Sequence, residues 1–298
     1  MAARSVGGVD ARSDIREFLT SRRAKLTPDQ AGLPAYGRTR RVQGLRREEV
    51  AMLAGISVEY YTRLERGNAA GVSEEVLEGI ARALQLDEAE RAHLLDLVRA
   101  ANATSSTARR RPAQERVRPT VQRVLDAIQA PAYVRNGRLD ILAANALGAA
   151  LYAPVLDDPN GTPNMARFIF LDVRATEFFH NWDGIANDAV AILRAEAGRD
   201  PYDKRLSDLI GELSTRSDEF RVRWAAHNVK FHRTGAKTLH HPVVGDLTLD
   251  YEALDLPGDS GQRILVYSAE PVSRSQEGLD LLASWAAAPA DRSASDQS

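Results

Sequence analysis

Four side chains in one short stretch have the types and spacing to read nucleic acid. Val58, Glu59, Thr62 and Arg63 recur at i, i+1, i+4 and i+5, which places them on one face of a helix. Glu59 and Thr62 are the natural groups to reach base edges in a major groove. Arg63 suits either guanine or a phosphate. Ser57 and Tyr60 complete the set expected on this helix. Arg46 and Arg47 lie just upstream, and Arg38, Arg40 and Arg41 sit in a Pro/Gly-punctuated loop before them. These five cations are expected to hold the phosphate backbone and fix register, where they add affinity but little sequence information. A basic loop that contacts nothing is the alternative for Arg38, Arg40 and Arg41.

Two helices must position these groups. The first is expected from about Arg46 to Ala54, with Val50, Leu53 and Ala54 on its apolar face and Ala51 small where a second helix approaches. Gly55 follows, where a left-handed backbone turns the chain sharply without a Cβ clash. Ser57 is a good N-cap for the second helix, whose apolar face is Tyr60, Tyr61 and Leu64. Any helical hairpin shares some of these features. The combination of AGIS at the turn with TRLERG closing the second helix is far more specific. These residues resemble the XRE/Cro-repressor type of helix-turn-helix domain, and LRREEVAMLAGISVEYYTRLERG resembles the regulators carrying an MmyB-like C-terminal domain. In the repressor pattern the helix before the turn opens with a phosphate-bracing glutamine; Arg47 stands there instead, and its guanidinium is expected to take that role.

Charge distribution agrees with a nucleic-acid footprint. The net charge of −2 argues against one, but Arg12 to Arg66 carries 12 Lys/Arg against 7 Asp/Glu, whereas Gly67 to Arg99 carries 3 against 7. Other chemistries find little support. With no cysteine, disulfides, thiol catalysis and thiolate metal sites are excluded. His227, His232, His240 and His241 lie close in sequence, yet no carboxylate has HExxH-like spacing, so no metal site is expected. There is no G-x-S-x-G elbow, phosphate-cradling loop or dinucleotide fingerprint, and the expectation is a non-enzyme. Neither a membrane-spanning run nor a signal peptide is legible, so a cytoplasmic protein without a membrane partner is expected.

The 298 residues suffice for two domains. Residues 1–12 read as a flexible tail. Residues 13–100 read as an all-α helix-turn-helix domain of about five helices, the first from Asp14 to Lys25. Ser73 and Asp87 cap its last two helices, and His93 is a surface or packing residue. Residues 101–118 are a polar, proline-bearing linker with Arg109, Arg110 and Arg111, which add DNA attraction or are simply solvated. Residues 119–288 read as a mixed α/β domain, and 289–298 as a second tail. The α/β domain opens with a helix from Val121 to Gln129 and a hairpin folded at Asn136-Gly137. Helices follow at 145–152, 165–170, 176–199, 202–213 and 218–228. Strands are expected at 229–233, 237–240, 246–254 and 263–269, with a last helix at 276–285. Strands at both ends with helices between suggest one sheet covered on a face, a sensor-like domain.

This half also resembles the MmyB-like ligand-binding domain, through RPTVQRVLDAI, PAYVRNGRLDILAAN, FIFLD, RWAAHNV and HPVVGDLTLDYEAL. The resemblance implies a PAS-like fold with a hydrophobic pocket for a fatty-acid-like ligand. Tyr133, Asn145, Phe168, Trp182, Trp224, His227 and Tyr251 are the candidate lining residues, being aromatic or polar on segments expected to face the sheet; each is equally readable as core. The expectation is a sequence-specific, double-stranded-DNA-binding transcriptional regulator. It is expected to be a homodimer, because one short helix reads too few base pairs, and to sense a small apolar ligand. The alternative is a constitutive repressor whose C-terminal half only dimerises or binds a protein partner. An enzyme with an appended DNA-binding domain is the third class.

Overall fold

A computed structural model of the chain describes residues 11–33, 42, 44–102, 116–157, 162–225, 234–256 and 261–287. The expected strand at 229–233, Arg38, Arg40, Arg41, Arg109 to Arg111, His227 and His232 lie outside the described residues.

The first five helices are α1 (Ala11–Lys25), α2 (Arg47–Ala54), α3 (Val58–Glu65), α4 (Glu74–Ala83) and α5 (Glu88–Asn102). Their apolar stripes meet in one core holding Ile15, Phe18, Leu19, Leu45, Val50, Tyr61, Leu64, Ile80 and Leu94. The expected caps form. Ser73 Oγ accepts from Val76 N at 3.3 Å. Asp87 and Glu90 cap each other reciprocally, at 2.8 and 3.2 Å, which satisfies two orphan donors at the start of α5. On α2 the face differs from expectation: Val50 and Ala51 are buried, whereas Leu53 is exposed. The stripe is rotated because Ala51 Cβ is small enough to meet the core directly.

Two compact units result, Met1–Arg111 with Val190–Phe231, and Pro112–Ala189 with His232–Ser298. Residues 190–225 comprise the second half of α11 (Trp182–Arg199), α12 (Lys204–Arg216) and α13 (Asp218–Ala225). Expected inside the α/β domain, they fall within the first of these units. Close packing explains this: a Cβ on Gly198 would lie 2.7 Å from the buried His93 ring, which itself meets Phe18 edge-on at 5.2 Å. Asp96 on α5 and Arg199 attract each other across the same contact. Arg194 is buried, stacks at 4.1 Å over Trp224 and donates to the Trp224 carbonyl. Burial lowers its pKa to about 10 against the attraction of Asp14 and Glu17.

The second unit begins with α6 (Pro119–Ala127), β1 (Ala132–Arg135) and β2 (Ile141–Ala144), then α7 (Ala146–Leu151), α8 (Ala153–Leu156), α9 (Met165–Leu171) and α10 (Ala175–Phe178). Next come α11 (Trp182–Arg199), α12 (Lys204–Arg216) and α13 (Asp218–Ala225), and the chain returns as β3 (Thr234–His241), β4 (Gly245–Asp255), β5 (Arg263–Ser268) and α14 (Arg274–Ala287). The expected single helix over 176–199 is broken. Phe179 leaves the helix to bridge Leu239 on β3, and both side chains are buried. The five strands form one antiparallel sheet in the order β2-β1-β5-β4-β3. Alternation along β4 is strict, with Leu247, Leu249, Tyr251 and Ala253 buried and the intervening residues exposed. On β1 both faces are covered, since Ala132 and Val134 pack with Val121 and Leu125 of α6.

The β1–β2 connection is not the tight turn expected at Asn136-Gly137. The left-handed residue is Leu139, at φ 67°, and its buried side chain joins the interior. Asn136 instead organises a wider loop: its Oδ1 accepts from Arg138 N and Asp140 N at 3.0 Å each, and its Nδ2 donates to Asp140.

Candidate nucleic-acid interface and ligand-domain interior

The turn between α2 and α3 forms as the sequence predicts. Gly55 is left-handed at φ 69°, Gly55 N donates to Met52 O and Ile56 N to Ala51 O. This pair of bonds is a Schellman motif, which ties off the end of α2. Ser57 Oγ then accepts from Tyr60 N at 3.1 Å and starts α3. At the front of α2, Glu49 accepts from Arg46 N at 2.6 Å.

The two faces of α3 separate cleanly. Tyr61, Leu64 and Glu65 are buried. Val58, Glu59 and Arg63 are exposed, Thr62 is half-buried, and together with Arg66 and Asn68 they line an open groove. Tyr60 departs from the apolar face: it is half-exposed, with the Arg63 guanidinium 4.9 Å over its ring. That stacking aims Arg63 outward and limits its rotamers, which lowers the entropy lost on contact.

Arg47 finds a partner inside the domain, which the sequence reading did not foresee. Its Nε bonds to Glu65 Oε2, while Arg23 Nε holds Glu65 Oε1 at 2.6 Å and Arg23 also reaches the Leu45 carbonyl. Glu65 is 1% exposed, so its charge must be paired where it is buried. The three side chains form a clamp that docks α3 against α1 and α2. Sequence reading missed Glu65, although a carboxylate between leucine and arginine in TRLERG was the visible signal. Tyr61 adds its hydroxyl at 3.5 Å from Glu65, and burial beside that carboxylate raises the phenol pKa.

In the second unit the inward face of the sheet carries an aromatic and polar cluster. Register puts Tyr133, Tyr251, Tyr267 and Lys237 on one face. Tyr152, at the end of α7, meets Tyr133 at 5.1 Å and Tyr267 at 5.5 Å between ring centres. The Tyr133 and Tyr267 hydroxyls lie 3.4 Å apart, and Lys237 Nζ donates to Tyr267 at 3.3 Å while sitting 4.8 Å over the Tyr251 ring. The Tyr152 hydroxyl is close enough to feel Tyr267, yet no aligned hydrogen bond forms. Burial first, then Arg135, pushes the Lys237 ammonium down to about 8, with Asp188 opposing. Burial also raises all four phenols, Tyr251 to about 12.

The other expected ligand residues fare differently. Phe168 is buried against Phe178 and Phe179, next to Tyr152 through Phe178. Asn145 is fully employed by the backbone: it caps α7 at Gly148 N, accepts from Ala132 N and donates to the Ile128 and Ala130 carbonyls. A side chain with every valence used this way holds β1 to α7 and has nothing left for a ligand. Trp182 donates to the Ile169 carbonyl and meets Phe170 edge-on. Trp224 belongs to the first unit, stacked on Phe220 at 5.5 Å. Lys237, Tyr152 and Tyr267 were not singled out from sequence, because only the strand register puts Lys237 and Tyr267 on the face of Tyr133, and only the packing of α7 brings Tyr152 to it. Among the described residues, His180, His240 and Asp246 alone gather enough ligand atoms to hold a metal ion.

A helix-turn-helix followed by an α/β unit with a polar-lined aromatic interior defines a transcription regulator with a sensor domain. Comparison with known families agrees: residues 16–94 match a helix-turn-helix domain, and residues 117–282 match the MmyB-like transcription regulator ligand binding domain. The second match covers more than half of the chain, which therefore belongs to the MmyB-like transcription regulators. Both matched families are regulator domains and not enzymes. No individual curated protein matches the chain. Among the described residues, no helix is long and apolar enough to cross a membrane.

Proposed function

We propose that the chain is a cytoplasmic homodimeric regulator that places α3 in the major groove of an operator. The outward face of α3 is the observation that supports this most: Val58, Glu59, Thr62 and Arg63 border one groove, with the helix clamped from behind through Glu65. Glu59 and Thr62 reach base edges, the exposed Val58 side chain suits a thymine methyl, and Arg63 reads guanine. Arg46, with Arg38, Arg40 and Arg41, supplies phosphate contacts. We further propose that the second unit is PAS-like and binds a small fatty-acyl-like ligand. The chain of this ligand would lie among Phe168, Phe178 and Tyr152, with its carboxylate at Lys237 and the hydroxyls of Tyr133 and Tyr267. A partly buried ammonium beside the phenols of Tyr251 and Tyr267 has the chemistry to hold an anion.

Binding to the DNA upstream of the protein's own gene, measured at several salt concentrations, tests the first part. Arg63→Ala should lose about 1–3 kcal/mol of preference for the operator over random duplex. Equal binding of wild type to operator and random DNA would overturn the placement of α3. For the second part, addition of a long-chain fatty acid should change operator affinity in wild type but not in Lys237→Met. A wild-type affinity indifferent to the acid, with no small molecule in the mass spectrum of the denatured protein, would favour the constitutive repressor instead.

A further inference from the structure

Two imidazoles and one carboxylate converge beside the β3–β4 turn, from segments far apart in sequence. His180 Nε2 lies 3.0 Å and His240 Nδ1 2.6 Å from the same oxygen, Asp246 Oδ1. We propose that His180, His240 and Asp246 form a binding site for a divalent transition-metal ion of the zinc class.

The backbone holds all three positions. His240 and Asp246 are directly paired across the β3–β4 ladder, so their side chains leave the same face of the sheet. His180 follows Phe179, whose bridge to the buried Leu239 adds a short stretch to the edge of β3, and His180 N donates to the Thr238 carbonyl at 3.3 Å. Alternation then sends Phe179 into the core and His180 outward, beside His240. Three anchored backbone positions leave only side-chain torsions to adjust.

The donor set and spacing fit this class of ion. All candidate ligand atoms lie within 4.8 Å of one another. Around a tetrahedral ion with bonds of about 2.0–2.1 Å, neighbouring ligand atoms stand about 3.3 Å apart, so a small opening of the present cluster admits the metal. Two imidazole nitrogens select zinc-class ions over magnesium or calcium, which prefer all-oxygen sites. The three side chains are 46%, 53% and 66% exposed, which leaves a fourth position open to water. Sequence reading weighed His240 with His227, His232 and His241, and missed the cluster because His180 and Asp246 lie outside that run. The site does not depend on the DNA or acyl-ligand proposals.

The test uses the full chain, treated with chelator and then titrated calorimetrically with Zn²⁺ at about pH 7.5. Co²⁺ is titrated in parallel and followed by visible absorbance. The proposal expects one ion per chain, a Kd tighter than about 100 μM, and tetrahedral Co²⁺ bands. His180→Asn and His240→Asn each keep a polar side chain beside Asp246, so both variants should melt like wild type in chelator. Each should bind at least about tenfold more weakly, the loss already expected on removing an outer-shell partner. Absent binding overturns the proposal, and so does binding that both variants leave unchanged, since the ion would then sit on other histidines.

Discussion

The partly buried ammonium of Lys237 makes the stability of the second unit depend on pH in a particular way. Its pKa is about 8 in the folded protein and 10.5 in its absence of structure. Below pH 8 both states carry the proton and the folded state bears the full cost of the partly buried charge. Between about pH 8 and 10.5 the unfolded chain keeps a proton that the folded chain has lost, so stability rises with pH, by about 1.4 kcal/mol per unit. The total comes to about 3 kcal/mol. Phenols reverse the trend at higher pH. Tyr133, Tyr152, Tyr251 and Tyr267 all hold their protons more tightly when folded. Above about pH 10 the unfolded chain therefore loses protons that the folded one retains, and stability falls. The groups facing Lys237 that set this balance are Arg135, Asp188 and the four tyrosines. Lys237→Met removes the rising limb. Urea unfolding followed by near-ultraviolet circular dichroism of the tyrosine cluster, from pH 7 to 10.5, measures both proteins. The stability difference between variant and wild type should shrink by about 3 kcal/mol across that range. Subtraction cancels other groups, such as Lys25, whose pKa is also lowered. A difference constant to within about 0.5 kcal/mol would refute the burial argument.

Two further substitutions test the helix-turn-helix unit. Glu65→Gln leaves Arg23 and Arg47 without their carboxylate and should cost about 3 kcal/mol, at the low end for a broken buried pair because Arg47 is half-exposed. The melting midpoint should fall by about 6–12 °C, with loss of operator binding; an unchanged midpoint would show that Glu65 is not the clamp. Gly198→Ala should destabilise, since its Cβ would press on the buried His93 ring at 2.7 Å. Gly211→Ala, on α12 with open space around it, should instead stabilise by up to about 1 kcal/mol through helix propensity. The same sign for both in thermal melts would refute the packing of Gly198 against His93 on α5.

Local signals in the sequence were reliable where the physics is local. Gly55, Ser57, Ser73 and Asp87 each act within one turn of their own position, and each does in the structure what its residue type implies. The outward face of α3 was legible for the same reason. Readings failed where a distant partner decided the outcome. The bond of Arg47 to Glu65, 18 residues on, went unread. The helix over 176–199 broke because Phe179 gains more by bridging Leu239 than by continuing a turn. Asn136-Gly137 carries the strongest short-range turn signal, yet burial of Leu139 drew the left-handed position to a non-glycine. Trp182, Trp224 and Asn145 have the composition of a ligand site, but hydrogen bonds and stacking within their own units occupy them.

Lys237 also bounds how strongly a ligand could act. Asp188, on α11, is the carboxylate that attracts the Lys237 ammonium. An acyl carboxylate that pairs the partly buried ammonium would relieve Asp188 of that role, and the free energy at stake is the cost of the unpaired charge, about 3 kcal/mol. That amount shifts a two-state equilibrium by about 150-fold, whereas moving from 1:99 to 99:1 needs about 5.5 kcal/mol. Under the proposed function, charge pairing at Lys237 alone would grade operator affinity by up to about two decades and would not make an all-or-none switch. A steeper response would require the apolar chain of the ligand to contribute as well, and truncating that chain should then flatten the response while Lys237→Met abolishes its anion dependence.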